Sequence, residues 1–113
     1  MEFFASIRPS DRLISTWPVV TECFYLLEKS QATVFEWLAS RGLEVLPFAL
    51  DDLPAMQRWR EGYRDREVDF ADATLVWLAW RERTILIATT DFNDFEAYRL
   101  PGGKRFRNLL LRP

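Results

Sequence analysis

A chain of 113 residues with 49% hydrophobic and 15% aromatic side chains can build one real core and is too apolar for disorder. Its formal charge of −2, from 15 basic and 17 acidic residues, gives no bulk attraction for nucleic acid. With no histidine and a single cysteine, Cys23, it excludes zinc-hydrolase, Ser-His and Cys-His chemistries and any internal disulfide.

Along the chain, residues 1–7 read as the apolar end of a helix, closed by an Arg8-Pro9-Ser10 turn. Residues 13–17 read as a short strand. Pro18 suits the first turn of the next helix, where its missing N–H costs little. That helix carries Glu22 and runs to about Lys29. Ser30 is placed to cap a further helix, with Val34, Phe35, Trp37 and Leu38 at helical spacing and Gly42 as its stop.

Residues 43–48 form a second strand candidate, which Pro47 confines to a strand end or an edge. Asp51 caps a helix through Met56, Trp59 and Tyr63. Asp69 opens another that is apolar on nearly every face and is therefore expected to be buried. Residues 84–89 are a continuous apolar strand of the kind found in parallel sheets. A turn or short helix over residues 91–99 follows, Pro101-Gly102-Gly103 breaks the chain, and residues 106–111 read as an edge-like strand. Strands alternating with helices predict an α/β fold with a mainly parallel sheet, in one domain over residues 1–113. No apolar stretch is long enough to span a membrane and Met1-Glu2-Phe3-Phe4 is no signal peptide, so a cytoplasmic location is expected.

Acidic residues stand where the pattern is otherwise apolar: Glu22 within Val19-Val20-Thr21-Glu22-Cys23-Phe24, Asp72 within Phe70-Ala71-Asp72-Ala73, and Asp91 after Ile85-Leu86-Ile87-Ala88-Thr89-Thr90. A carboxylate among hydrophobes needs a cation, a cap or hydrogen bonds. Two readings compete. Asp69-x-x-Asp72 and Asp91-x-x-Asp94 both have the form of a helix N-cap followed by an acid in the first turn, which suits the helix dipole, and Glu22 could simply face solvent. Against this, Asp72 has almost no polar face to occupy, and Asp91 and Glu22 both follow strands, whose carboxyl ends are where parallel α/β proteins place sites. On that reading the acids share one cation. Without histidine its ligands are oxygens, which favours Mg²⁺ or Mn²⁺ and metal-activated water attacking a phosphodiester.

These stretches resemble the PIN-domain family, and within it the toxin ribonucleases of VapC type. The resemblance lies in Ser15-Thr16-Trp17-Pro18-Val19-Val20-Thr21-Glu22, Val68-Asp69-Phe70-Ala71-Asp72-Ala73-Thr74-Leu75-Val76 and Ile87-Ala88-Thr89-Thr90-Asp91-Phe92-Asn93-Asp94-Phe95, in the family's order and spacing. It implies a PIN-like three-layer fold, Mg²⁺- or Mn²⁺-dependent endoribonuclease activity on structured RNA such as tRNA, and inhibition by a small antitoxin. Residue by residue it implies catalytic and metal-binding roles for Glu22, Asp72 and Asp91, with Asp94 as a further metal contributor. Asp69 is read as a cap first and a ligand second.

The family's first strand ends in a metal-binding Asp and leads into a helix. Here no Asp precedes Asp11, and residues 1–7 match the end of that helix. The expectation is therefore a shortened member, or a chain start downstream of the true one. A shortened member would fill the gap by dimerising, borrowing a strand or rearranging, with weak metal affinity and reduced or absent cleavage. The alternative from another class is an inactive PIN-like module that binds an antitoxin or dimerises. Arg99, Lys104 and Arg105, in a tail without acids, are the candidates for RNA phosphates. Thr89 and Thr90 could hydrogen-bond the carboxylates or the phosphate, but as β-branched strand residues they are read as structural first. The five tryptophans are read as core or interface, with Trp77 and Trp80 pointing to a homodimer contact.

Overall fold

The computed structural model describes residues 11–110. The helix end and turn expected over residues 1–10, Leu111 of the last strand, and Arg112 lie outside the described residues. The chain divides into two compact units, Arg12–Leu78 and the segment from Ala79 onwards.

The first unit contains β1 (Ile14–Ser15), α1 (Trp17–Leu26), α2 (Gln31–Ala39), β2 (Glu44–Val45), α3 (Leu53–Glu61) and most of α4 (Phe70–Arg81). The two strands are parallel, with Ile14 opposite Glu44 and Ser15 opposite Val45. Glu44 N–H donates to Leu13 O and Leu46 N–H to Ser15 O, both at 2.9 Å. Pro47 follows at once, and the strand expected over residues 43–48 is only two residues long.

Helix α1 starts as its proline demands, with Thr16 extended at the N-cap position (φ −121°, ψ 159°) and Pro18 in the first turn. The Thr16 hydroxyl makes no cap bond. It is fully buried and lies 2.7 Å from the Thr74 hydroxyl of α4. Thr74 Oγ1 donates to Ala71 O at 2.7 Å, so Thr16 is left as the donor between the two threonines.

Helix α2 ends in the expected place for a different reason. Arg41, not Gly42, takes the left-handed conformation (φ 63°). Arg41 N–H donates to Leu38 O and Gly42 N–H to Trp37 O, both at 3.0 Å, the paired bonds of a Schellman terminus. Glycine is required at 42 because a Cβ there would overlap the Trp37 indole. At the start of α3, Asp52 rather than Asp51 supplies the closing bond, its Oδ2 accepting Ala49 N–H at 2.7 Å. The core of the unit is Met56, Trp77 and Leu78, with Ile14, Leu46, Phe48 and Leu53 packed on it. Phe48 meets Phe70 and Trp77 edge-on at 5.7 and 5.9 Å. Trp77 is thus a core residue, whereas Trp80 is 52% exposed.

Helix α4 is the element the pattern describes best. Ala71, Asp72, Ala73, Thr74, Val76, Trp77, Leu78 and Ala79 are all buried. Its opening is fixed by Asp69, whose Oδ1 accepts Asp72 N–H at 2.8 Å, a side-chain N-cap. Just before it, Arg60 Nε donates to Val68 O at 2.8 Å.

The second unit contains β3 (Leu86–Ile87), α5 (Phe92–Ala97) and β4 (Arg107–Asn108). The strands are again parallel, Leu86 opposite Arg107 and Ile87 opposite Asn108. The run over residues 84–89 is less buried than its composition predicts. Ile87 is buried, but Ile85 and Leu86 are 39% and 48% exposed. With β4 its one hydrogen-bonded neighbour among the described residues, the strand buries only Ile87 of this apolar run. Six residues are too few for α5 to be stable alone. Phe95, 2% exposed, anchors it against Tyr98 and Phe106 at ring distances of 5.0 and 5.4 Å. Gly102 and Gly103, at φ 98° and 93°, allow the tight reversal that brings Arg105 opposite Arg99.

Replacing Thr74 with Val leaves the buried Thr16 hydroxyl without its partner and is expected to cost about 1–3 kcal/mol, read as a lower urea midpoint at unchanged slope. Replacing both threonines with Val removes donor and acceptor together and should recover most of that loss. Asp69→Ala should cost about 1 kcal/mol through the lost cap, while Asp69→Asn, which keeps an acceptor oxygen, should stay near wild type in the same titration.

Candidate metal centre

In the second unit the acids of interest stand on the turn from β3 into α5. Thr89 Oγ1 accepts Asp91 N–H at 3.0 Å, which closes the turn after the strand. Thr89 is therefore structural, as expected. Asp91 occupies the N-cap position of α5, but its side chain makes no cap bond. Asp94 lies in the first turn. The two side chains each bring a carboxylate oxygen within 4.8 Å of the other, with Asp91 exposed and Asp94 half-buried. Carboxylates at that spacing repel one another, and a divalent cation relieves the repulsion. The donors are all oxygens, the set that suits a hard cation such as Mg²⁺ or Mn²⁺.

The first unit holds the other two. Asp72 is 8% exposed, on the third residue of the buried helix α4, with its backbone N–H already given to Asp69. Glu22 lies on an exposed part of α1. It shares with Asp69 the lining of a groove of about 690 Å³, whose walls include Trp17, Pro18, Phe48 and Phe70. The structure thus brings Glu22 and Asp69 to one groove and Asp91 and Asp94 to one helix start. Cys23, next to Glu22, has its thiol pushed up by burial and secondarily by the Glu22 carboxylate, which suppresses the thiolate a nucleophile would need.

Of the three basic candidates, Arg99 is committed to structure. Its Nη1 donates to Glu96 O at 2.6 Å, Tyr98 O at 3.0 Å and Ala97 O at 3.1 Å, carbonyls at and just past the end of α5. Lys104 and Arg105 are exposed.

Two residues that shape the acidic turns carry little sequence signal. Asn108 brackets the backbone of Thr89: its Nδ2 donates to Thr89 O at 2.9 Å and its Oδ1 accepts Thr89 N–H at 3.3 Å. Arg60, fixing the residue before Asp69, is one of three arginines between positions 58 and 64. The only hint for Asn108 is its place as a polar amide inside Phe106-Arg107-Asn108-Leu109-Leu110, where asparagine is disfavoured in a strand.

The family model described as PIN domain matches residues 2–100. No curated protein matches the chain. PIN domains are generally metal-dependent nucleases that act on RNA and bind divalent metals. An α/β chain with short parallel strands, an oxygen-only donor set and a family match over nearly nine-tenths of its length belongs to the PIN domain family.

Proposed function

We propose that this chain is a metal-dependent endoribonuclease of the VapC toxin type, a single PIN-like domain over residues 1–113 that cleaves structured RNA. By their match to the family's motifs, Glu22, Asp72, Asp91 and Asp94 are the proposed ligands for Mg²⁺ or Mn²⁺. A cation so bound acidifies its water and offsets the negative charge that develops on the phosphodiester. The observation that carries the reading is the Asp91–Asp94 pair. In a PIN domain, an aspartate at a helix start whose carboxylate makes no cap bond, with a second carboxylate within 4.8 Å, supports ligation over capping.

The residues around these acids divide the remaining work. Asp69 holds the first turn of α4 and with it the backbone of Asp72. Thr89 holds the backbone of Asp91. The exposed Lys104 and Arg105, together with Arg99, are the proposed contacts for RNA phosphates. Cytoplasmic placement and an antitoxin partner belong to the same proposal. Among the described residues, no helix is long and apolar enough to cross a membrane.

One observation favours a second reading, an inactive PIN-like module that binds an antitoxin or pairs with another copy. The end of α1 and the residues after it expose Tyr25 at 81%, Leu26 at 75% and Leu27 at 49%, and Phe35 of α2 is 64% exposed. Contiguous apolar surface on a small chain marks a contact site.

Cleavage of a structured RNA pool in Mn²⁺ separates the two. The nuclease reading expects cleavage that is lost on chelation, restored by Mn²⁺, and reduced more than about 100-fold in Asp91→Asn and Asp72→Asn, beyond what loss of an outer-shell partner costs. A folded wild-type chain that binds no Mn²⁺ and leaves RNA intact assigns it to the binding module.

A further inference from the structure

The parallel ladder of the second unit stops in an unusual way. Arg107 N–H donates to Ile85 O at 2.8 Å and Leu109 N–H to Ile87 O at 2.7 Å, as a parallel pair requires. The next backbone groups of the first strand, the N–H and C=O of Thr89, are met by no strand among the described residues. The Asn108 side chain meets them instead, its amide acting as a substitute peptide for both. The same Oδ1 accepts Leu110 N–H at 3.1 Å, which ties the amide to its own turn and fixes its orientation. Thr89 in turn accepts Asp91 N–H through its hydroxyl. An unbroken series of hydrogen bonds thus runs from Asn108 to Thr89 to the backbone of Asp91.

We propose that Asn108 is a positioning residue for Asp91, acting through Thr89, and that it sets how tightly this turn can hold a divalent cation. The inference rests on the metal-binding reading above. It extends that reading beyond the family match, which ends at residue 100, to a residue 17 positions downstream of the ligand it serves. The physical need is plain. The strand carrying the turn is two residues long, so few backbone bonds immobilise Thr89 and Asp91. A metal ligand displaced by a fraction of an ångström loses affinity, because a small hard cation tolerates little departure from its geometry.

The test uses the full chain and two readouts that need no cleavage: hydrogen exchange at the Asp91 amide without metal, and Mn²⁺ affinity from the electron paramagnetic resonance signal of the free ion. Asn108→Ala should speed Asp91 exchange and weaken Mn²⁺ binding about tenfold, the low end for loss of an outer-shell partner. Thr89→Val, which removes the hydroxyl that accepts Asp91 N–H, should do the same, and the double variant should be little worse than either, since the two residues act in series. Ile87→Ala, which weakens the same strand through its buried side chain, should lower the unfolding midpoint and leave Mn²⁺ affinity near wild type. Wild-type Mn²⁺ affinity in Asn108→Ala, an equal loss in Ile87→Ala, or full additivity in the double variant overturns the proposal. Failure of the wild type to bind Mn²⁺ overturns the metal reading itself. Asp91 exchange then still judges the positioning claim, which falls if Asn108→Ala leaves that amide as protected as before.

Discussion

The hydrogen bond between Thr16 and Thr74 is the joint on which the first unit turns. It connects residues 58 apart in sequence, one at the end of β1 and the other in the middle of α4, and both are fully buried. Because Thr74 gives its own proton to Ala71, the pair has one possible sense, and replacing Thr74 alone strands the Thr16 hydroxyl in the core. The position is also where β1 becomes α1. The threonine that would ordinarily cap α1 has been spent on α4, and Pro18 supplies the helix start in its place. Glu22, on the second turn of α1, inherits its place from that joint.

Side chains that bond backbone groups recur at the ends of elements. Asp69 meets an N–H of α4, Asp52 one at the start of α3, Thr89 the N–H of Asp91, and Asn108 both backbone groups of Thr89. Each such bond contributes only about 1 kcal/mol of net stability, but leaving its partner buried and unmade costs more. In a chain whose described strands are two residues long, ladder bonds are few. Polar side chains at element ends then determine where the loops lie.

How much of this was legible in the sequence depends on the range of the interaction responsible. Helix α4 could be read directly, since an apolar pattern on every face has one physical meaning, and Asp69 could be read as its cap because capping is local. The parallel pairing could be read from alternating strands and helices, but not the exposure of Ile85 and Leu86, which depends on how many neighbours a strand acquires. Gly42 illustrates a right position reached by a wrong cause. Glycine at a helix end suggests a left-handed residue, yet the left-handed residue is Arg41, and only the Trp37 indole explains the glycine. The role of Asn108 lay beyond reach, because its partner is 19 residues away and a polar amide in a strand run does not say what it bonds.

The two Asp-x-x-Asp segments show why spacing alone could not separate a cap from a ligand. Both place an aspartate at the N-cap position and an acid three residues on, and the helix dipole favours both. They differ in what precedes them. Asp69 follows a segment pinned by Arg60 at Val68, and its side chain turns inward to the N–H of Asp72. Asp91 follows a strand, and its own N–H is engaged by the Thr89 hydroxyl behind it. With φ −81° and ψ 64° at the cap, its carboxylate forms no bond to the helix start. A single hydroxyl two residues upstream thus accompanies the difference between a carboxylate that begins a helix and one that makes no bond to the helix it precedes.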